Sequence, residues 1–111
     1  MYLTRDATAA TLRQLAGLAP GSTVAMTFLL PADLLAEADR SGHQASRQGA
    51  RASGTPFISF YSPADMLALA REAGFTDARH VPGSWLADRY FAGRPDGLRP
   101  STGEDLLVAT T

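Results

Sequence analysis

Apolar residues along this chain occur in short blocks that proline and glycine residues separate. The block from Thr23 to Leu30 is almost entirely apolar and lies between turn signals. It is too short for an isolated helix, and such a run is typical of a strand buried on both faces at the centre of an α/β sheet. A second block, residues 105–110, predicts the last strand, and residues 76–81 predict a half-buried strand before it.

Two segments in the first half of the chain predict helices. Thr4 is a good N-cap for a helix that ends at Gly17 or at residues 20–21. Residues 31–40 predict a second helix, with a proline in its first turn. For residues 41–54 two interpretations stay open, because glycine, serine and arginine replace any apolar period. The segment either continues the helix with a polar face or forms a mobile surface segment.

The next helix has the clearest signals at both ends. Ser62 is its predicted N-cap, Pro63 fills the first helical position, and Asp65 can interact with the cap in the manner of a capping box. Gly74 is placed to end the helix in a left-handed conformation, with Phe75 packing back onto it.

The last third of the chain predicts a short helix over residues 84–92 and a turn-rich loop over residues 93–103. The order of elements is therefore helix, strand, helix, helix, strand, short helix, strand. Helices that alternate with buried strands indicate an α/β layer architecture, and the final two strands could form an antiparallel edge.

Composition narrows the function classes. The chain has 111 residues, of which 45% are hydrophobic and 19% charged, so a single folded domain or a piece of one is expected. A formal charge of −1 gives no general attraction for nucleic acid. No cysteine is present, no apolar run is long enough to cross a membrane, and a cytoplasmic protein is expected.

The two histidines, His43 and His80, lie far apart and predict no metal site. We expect His43 to be solvated and His80 to be a structural or surface residue.

Several passages resemble class I methyltransferases. Residues 69–81, LAREAGFTDARHV, are similar to the family's last large helix, its glycine and the phenylalanine before the sixth strand, and residues 105–110 resemble its last strand. Residues 1–4 and 89–99 resemble passages of the bacterial leucine-carboxyl-methyltransferase-like branch, which uses S-adenosylmethionine. The resemblance covers nearly the whole chain but only the carboxyl-terminal portion of the family.

The resemblance implies a particular fold and also implies that the cofactor-binding half of that fold is absent from this chain. It implies a partial Rossmann-like methyltransferase sheet of about three strands, the last one antiparallel, flanked by helices. Residues 1–111 would form a single partial domain, the carboxyl-terminal half, without the cofactor-binding half. The family holds S-adenosylmethionine with a glycine-rich turn after its first strand, and this sequence contains no Gly-x-Gly. We therefore assign no cofactor-binding and no catalytic residue, and expect no cofactor to bind this chain alone.

Five residues are candidates for contact with a methyl acceptor. Aromatic side chains often line such pockets, and an arginine fork suits the carboxylate that a carboxyl methyltransferase would bind. The candidates are Tyr2, Trp85, Tyr90, Arg94 and Arg99. In the alternative interpretation, the aromatic residues only pack within the fold and the arginines are solvated charges of a loop.

Two function hypotheses follow. In the first, the chain is the carboxyl-terminal fragment of an S-adenosylmethionine-dependent O- or carboxyl-methyltransferase that is inactive alone, and its partner is the missing amino-terminal half. In the second, it is a non-catalytic interaction module that forms a homodimer through the exposed edge of the strand from Thr23 to Leu30. Neither hypothesis involves nucleic acid, a membrane or a metal ion.

Overall fold

The sheet has three strands, and the strand that comes last in the chain lies in the middle. The computed structural model describes all residues, 1–111. β1 (Thr23–Leu29), β2 (Asp77–Val81) and β3 (Glu104–Thr110) are arranged in the order β1-β3-β2. β3 is antiparallel to both neighbours, so β1 and β2 run in the same direction. The predicted α/β class, with three strands and an antiparallel last strand, is confirmed.

The prediction that residues 23–30 form a central strand buried on both faces is wrong. β1 is an edge strand, since its only strand neighbour is β3. Thr23, Ala25 and Thr27 are exposed and alternate with the half-buried Val24 and Met26. These exposed residues are small or polar, so β1 behaves as a strand with one covered face along most of its length.

Two helices cover one face of the sheet. α1 (Arg5–Ala16) and α3 (Pro63–Ala73) pack against each other, and α3 also contacts β2 and β3. The largest fully buried side chains are Leu12, Met66 and Leu107, one from each of α1, α3 and β3. The core therefore lies between this helix pair and the covered face of the sheet.

The ends of α1 and α3 follow the predicted local signals. The Thr4 hydroxyl accepts a hydrogen bond from the backbone N–H of Ala7. The Ser62 hydroxyl accepts one from the Asp65 backbone N–H at 3.1 Å and donates to the Asp65 carboxylate at 2.7 Å. Gly74 adopts φ 106°, a left-handed conformation that favours glycine, and Phe75 is 5% exposed in the core.

The opposite face of the sheet remains open. Leu106 and Val108 on this face are only partly buried, and Ala25 and Thr27 beside them on β1 are exposed. None of these four residues belongs to the buried core cluster. The chain therefore presents both a β1 edge that no other strand pairs with and an uncovered face that contains apolar side chains.

The second helix begins later and extends further than its predicted core of residues 31–40. Residues Ala32–Leu34 form one 3₁₀ turn, Leu35 returns to extended backbone, and α2 spans Glu37–Ala52. The start was mispredicted because Leu35 is pulled into the core at 3% exposure, which interrupts the helix. The helical interpretation of residues 41–54 is confirmed as far as Ala52, and α2 contains no buried residue.

The predicted short helix near residues 84–92 divides into two turns. α4 (Gly83–Leu86) leads directly into a π-helical turn, Ala87–Phe91. An irregular segment over residues 92–103 then returns the chain to β3. No helix in the structure is both long and apolar enough to cross a membrane.

Candidate functional site

Two grooves lie on opposite sides of α2, and one of them borders the carboxyl end of β1. The first, which we call the β1-end groove, has a volume of about 570 Å³ and includes Leu29 from β1, Asp39 and Ser46 from α2, and Gly103 and Glu104 at the start of β3. The carboxyl ends of strands are where open α/β sheets bind ligands. This groove is therefore a candidate ligand site by its position in the fold.

The second groove, which we call the arginine groove, has a volume of about 700 Å³. One wall is the polar face of α2, and the other contains residues before and after that helix. Its lining residues include Arg40, Gln44, Arg47, Gln48, Arg51 and Phe57. The α2 residues fall at helical spacing on one face, and no aspartate or glutamate lines the groove.

His43 lies between the two grooves and lines both. Its Nε2 atom is buried and has no hydrogen-bond partner. The ring packs edge-on against Phe60, with 6.1 Å between ring centroids, and it sits beside Gly103, where an added Cβ would come within 3.1 Å of the imidazole. Burial lowers the pKa of His43, and Arg47 lowers it further by charge repulsion. The expectation that His43 is solvated is wrong, because its ring packs against Phe60 and beside Gly103 and its Nε2 atom is buried.

A polar cluster anchors the first turn of α2 to the loop before β3. The Arg99 guanidinium donates two hydrogen bonds to the Asp39 carboxylate, at 2.7 and 3.1 Å. The Thr102 backbone N–H and hydroxyl donate to Asp39 Oδ2 at 2.9 and 2.8 Å. The Thr102 hydroxyl oxygen also accepts from the Ala36 backbone N–H, at the position where α2 has no side-chain cap of its own.

This cluster has a strong electrostatic consequence for Asp39. Its hydrogen bond with Arg99, and then those with Thr102, hold the pKa of Asp39 far below its usual range. The same pairing raises the pKa of Arg99. The Arg99 guanidinium is therefore held in an ion pair within the chain and fixes one wall of the β1-end groove.

A buried acid, Asp105, joins β2, α4 and β3. Asp105 is 5% exposed; one carboxylate oxygen accepts the Gly83 backbone N–H at 2.8 Å, and the other lies 2.7 Å from His80 Nε2. The His80 ring also packs near Phe28, with 6.1 Å between ring centroids. His80 thus holds secondary structure together, in agreement with its predicted structural role.

The five predicted acceptor residues lie in separate places. Trp85 and Tyr90 form an exposed edge-to-face pair with ring centroids 6.1 Å apart. Tyr2 packs against Phe57 instead, at 5.5 Å. Arg94 pairs with an aspartate two residues later, and Arg99 belongs to the Asp39 cluster.

Residues missed by the sequence analysis are the ones that shape the grooves. Arg40 ends the predicted helix of residues 31–40, whereas Arg47 and Arg51 fall in the segment for which two interpretations stay open, and the three share a face only because α2 continues to Ala52. The i, i+7, i+11 spacing was the available signal. Asp39 and Asp105 gave no signal, because their partners are distant in sequence.

Comparisons with known proteins bear on the fold. No protein-family model matches the chain, and no curated protein matches it either. A solved structure with a similar fold is that of a possible exported protein from Bordetella parapertussis, with a TM-score of 0.61 and 19% sequence identity. The match covers 96% of this chain and 33% of that one. At this identity the likeness shows the fold alone, and this chain spans about a third of the length of that protein.

Proposed function

We propose that this chain forms the carboxyl-terminal part of a Rossmann-like, S-adenosylmethionine-dependent methyltransferase that acts on an oxygen, with a carboxylate as the favoured acceptor. Support comes from the passage that carries the resemblance. α3 ends at a left-handed Gly74, Phe75 is buried, and β2 follows at once. β3 is then an antiparallel last strand, as the resemblance implies.

The unpaired edge of β1 is the observation that carries the proposal. Both strand pairs in this sheet are antiparallel, and an exposed strand edge in a natural sheet is normally paired, charged or covered. Here no strand pairs with the outer edge of β1, which is occupied only at its end, where the Tyr61 backbone N–H donates to the Leu29 carbonyl oxygen at 2.9 Å. Leu106 and Val108 on the uncovered face remain partly exposed. A cofactor-binding half, in the same polypeptide or in another, would pair with this edge and cover this face. The likeness to a third of a longer protein supports such a larger assembly.

The residues of this chain do not fit a site for S-adenosylmethionine. β1 leads into Leu30 and Pro31 without a glycine, so no backbone turn there allows close approach of a ligand. After β2, Gly83 is already packed, since an added Cβ would lie 3.1 Å from the Ser101 carbonyl oxygen. We therefore place the cofactor in the other half and derive no methyl-transfer step through this chain.

The contribution of this chain would be to bind and orient the acceptor, which lowers the entropic cost of reaction. The β1-end groove would form one wall of the acceptor pocket. None of Tyr2, Trp85, Tyr90, Arg94 and Arg99 lines this groove, so of the five predicted residues only Arg99 keeps an acceptor-side role in the proposal. In that role Arg99 would act through its ion pair with Asp39, as a positioning residue for the groove wall.

Calorimetric titration with S-adenosylhomocysteine tests this proposal, with adenosine as the matched ligand control. The 111-residue chain should show no binding, whereas the chain extended by the in-frame codons upstream of Met1 should bind. Micromolar binding by the 111-residue chain would overturn the division of the site between two halves. Absence of binding by both forms would overturn the proposal that the cofactor-binding half lies in the same polypeptide.

A cytoplasmic location is part of the same proposal. It is supported by the absence of cysteine, since disulfides are features of oxidising compartments. Cell fractionation with an antibody against the chain would test it. Recovery with exported proteins, as the description of the Bordetella protein suggests for that protein, would contradict it.

The free β1 edge also supports a second candidate function, a homodimer that serves as an interaction module. An exposed strand edge readily pairs with a second copy, and charged side chains on the edge oppose this. Light scattering should then show a dimer that Thr27→Lys dissociates, whereas Thr11→Lys on the exposed side of α1 should leave it intact. A wild-type chain that stays monomeric at high concentration would exclude this function.

A further inference from the structure

The arginine groove contains three guanidinium groups that the chain itself does not neutralise. No carboxylate lies within 4.0 Å of Arg40, Arg47 or Arg51, whereas Arg94 and Arg99 each form close ion pairs. The chain as a whole carries a formal charge of −1, so this positive surface is a local feature. Three unpaired arginines along one groove give a strong local attraction for anions.

Two of these side chains are held in place by apolar and backbone contacts. Arg47 lies over the ring of Phe60 with its guanidinium carbon 4.7 Å from the centroid. The Arg40 Nε donates to the Leu35 carbonyl oxygen at 3.4 Å. These contacts orient the stems and leave most of the five N–H donors of each guanidinium unused. A pre-oriented fork binds carboxylate or phosphate with a smaller loss of side-chain entropy than a free one.

The spacing and shape of the groove define the ligand class. On a helix with a 1.5 Å rise, Arg40 and Arg47 are about 10 Å apart along the axis, and Arg51 follows about 6 Å further. A volume of about 700 Å³ is within the usual size of small-molecule sites, and Pro56 and Phe57 give it an apolar wall. An extended nucleic acid would need a broader basic surface than one helix face on an acidic chain.

We propose that the arginine groove binds a small organic polyanion, a molecule with an apolar body and at least two carboxylate or phosphate groups, through Arg40, Arg47 and Arg51. This inference concerns the chain alone and is independent of the proposed methyltransferase assembly. His43 lies at the inner side of the groove and reports on its occupancy. A bound anion would offset the repulsion by Arg47 that lowers the pKa of His43.

Histidine NMR of the intact chain tests the proposal, because His43 and His80 are the only imidazoles. Inorganic pyrophosphate and citrate are the two probes, and their comparison distinguishes phosphate from carboxylate preference. At low ionic strength at least one probe should shift the His43 resonances in a saturable way. The His80 resonances should stay fixed, since that ring is hydrogen-bonded to Asp105. No shift of His43 by either probe up to roughly 10 mM would overturn the proposal.

The arginine contribution is tested by Arg47→Gln combined with Arg51→Gln. This pair should weaken binding at least about tenfold, the effect expected from losing one charge-assisted hydrogen bond. The matched control, Arg13→Gln with Arg71→Gln, removes the same charge from exposed helical positions outside the groove and should change binding less than about twofold.

The variants should fold, because α2 buries no residue, and circular dichroism verifies this. Equal losses of affinity in the groove and control variants would show that the effect depends on net charge alone, and this would overturn the proposed site. A single-stranded RNA could bind more tightly than either small anion and lose this binding in the same groove variant. That result would also overturn the proposal, because it would make the groove a nucleic-acid surface.

Discussion

Replacing Asp105 by alanine should destabilise the chain more than any exposed substitution. The carboxylate joins three elements, since it accepts the Gly83 N–H at 2.8 Å and lies 2.7 Å from His80 Nε2. Both Asp105 and Gly83 are buried. In the alanine variant the Gly83 N–H loses its partner inside the protein, where water does not replace it.

The size of the effect follows from these two bonds. A hydrogen bond to a charged group contributes about 1.5–3 kcal/mol, so losing both should cost about 3 kcal/mol at the lower end. For a chain of 111 residues the unfolding entropy is about 0.23 kcal/mol/K, which converts the loss to a fall of about 13 °C in Tm. Thermal unfolding followed by circular dichroism, with urea denaturation as a second measure, gives both quantities.

Asp105→Asn is the matched control. Asparagine keeps an oxygen for the Gly83 N–H and presents an N–H toward His80, so we expect a loss of about 1 kcal/mol. A Tm that falls by less than about 4 °C in Asp105→Ala would refute the reasoning, because the two bonds together would then contribute less than about 1 kcal/mol. Equal losses in both variants would show that charge, and not hydrogen bonding, holds the three elements together.

Three further predictions concern local structure and pH. Gly74→Ala should cost about 1 kcal/mol in urea denaturation because alanine opposes the φ of 106°, and an unchanged midpoint would contradict the left-handed helix end. Ser62→Ala should cost about 1 kcal/mol by removing the α3 cap, whereas Ser62→Thr should retain most of it; equal losses would exclude capping as the cause. The folded pKa of Asp39 is lowered, so its cluster stabilises the fold fully above the unfolded pKa of about 3.9 and loses this contribution progressively as the pH falls from there through the lower folded pKa. Arg99→Gln should raise the folded pKa of Asp39, so that an NMR titration shows protonation of this carboxylate at higher pH. An unchanged titration would show that Arg99 does not lower the pKa of Asp39.

Local signals predicted the ends of α1 and α3 well. Thr4, Ser62 and Gly74 act within one helical turn, so their effect depends little on the rest of the fold. The start of α2 was predicted wrongly because it depends on contacts with residues distant in the chain. Pro31 is a valid start signal, but burial of Leu35 by distant residues outweighs it.

The position of β1 in the sheet was not predictable from its apolar run. An apolar block indicates a strand, but whether that strand is central or at an edge depends on which other strands pair with it. β3, more than seventy residues later in the chain, occupies the central position and leaves β1 with an open side. The β1-end groove was not predictable for the same reason, because it forms only where α2, the loop before β3 and the end of β1 meet.

By itself, the sequence determined the α/β class, the number of strands and the capped ends of two helices, since those depend on periodicity and on hydrogen bonds between near neighbours. Only the tertiary structure decided which strand is central, that Arg99 pairs with Asp39 sixty positions away, and that three arginines share a groove beside His43. These contacts join residues far apart in the chain. Their energies depend on burial and distance in three dimensions, and a linear pattern specifies neither.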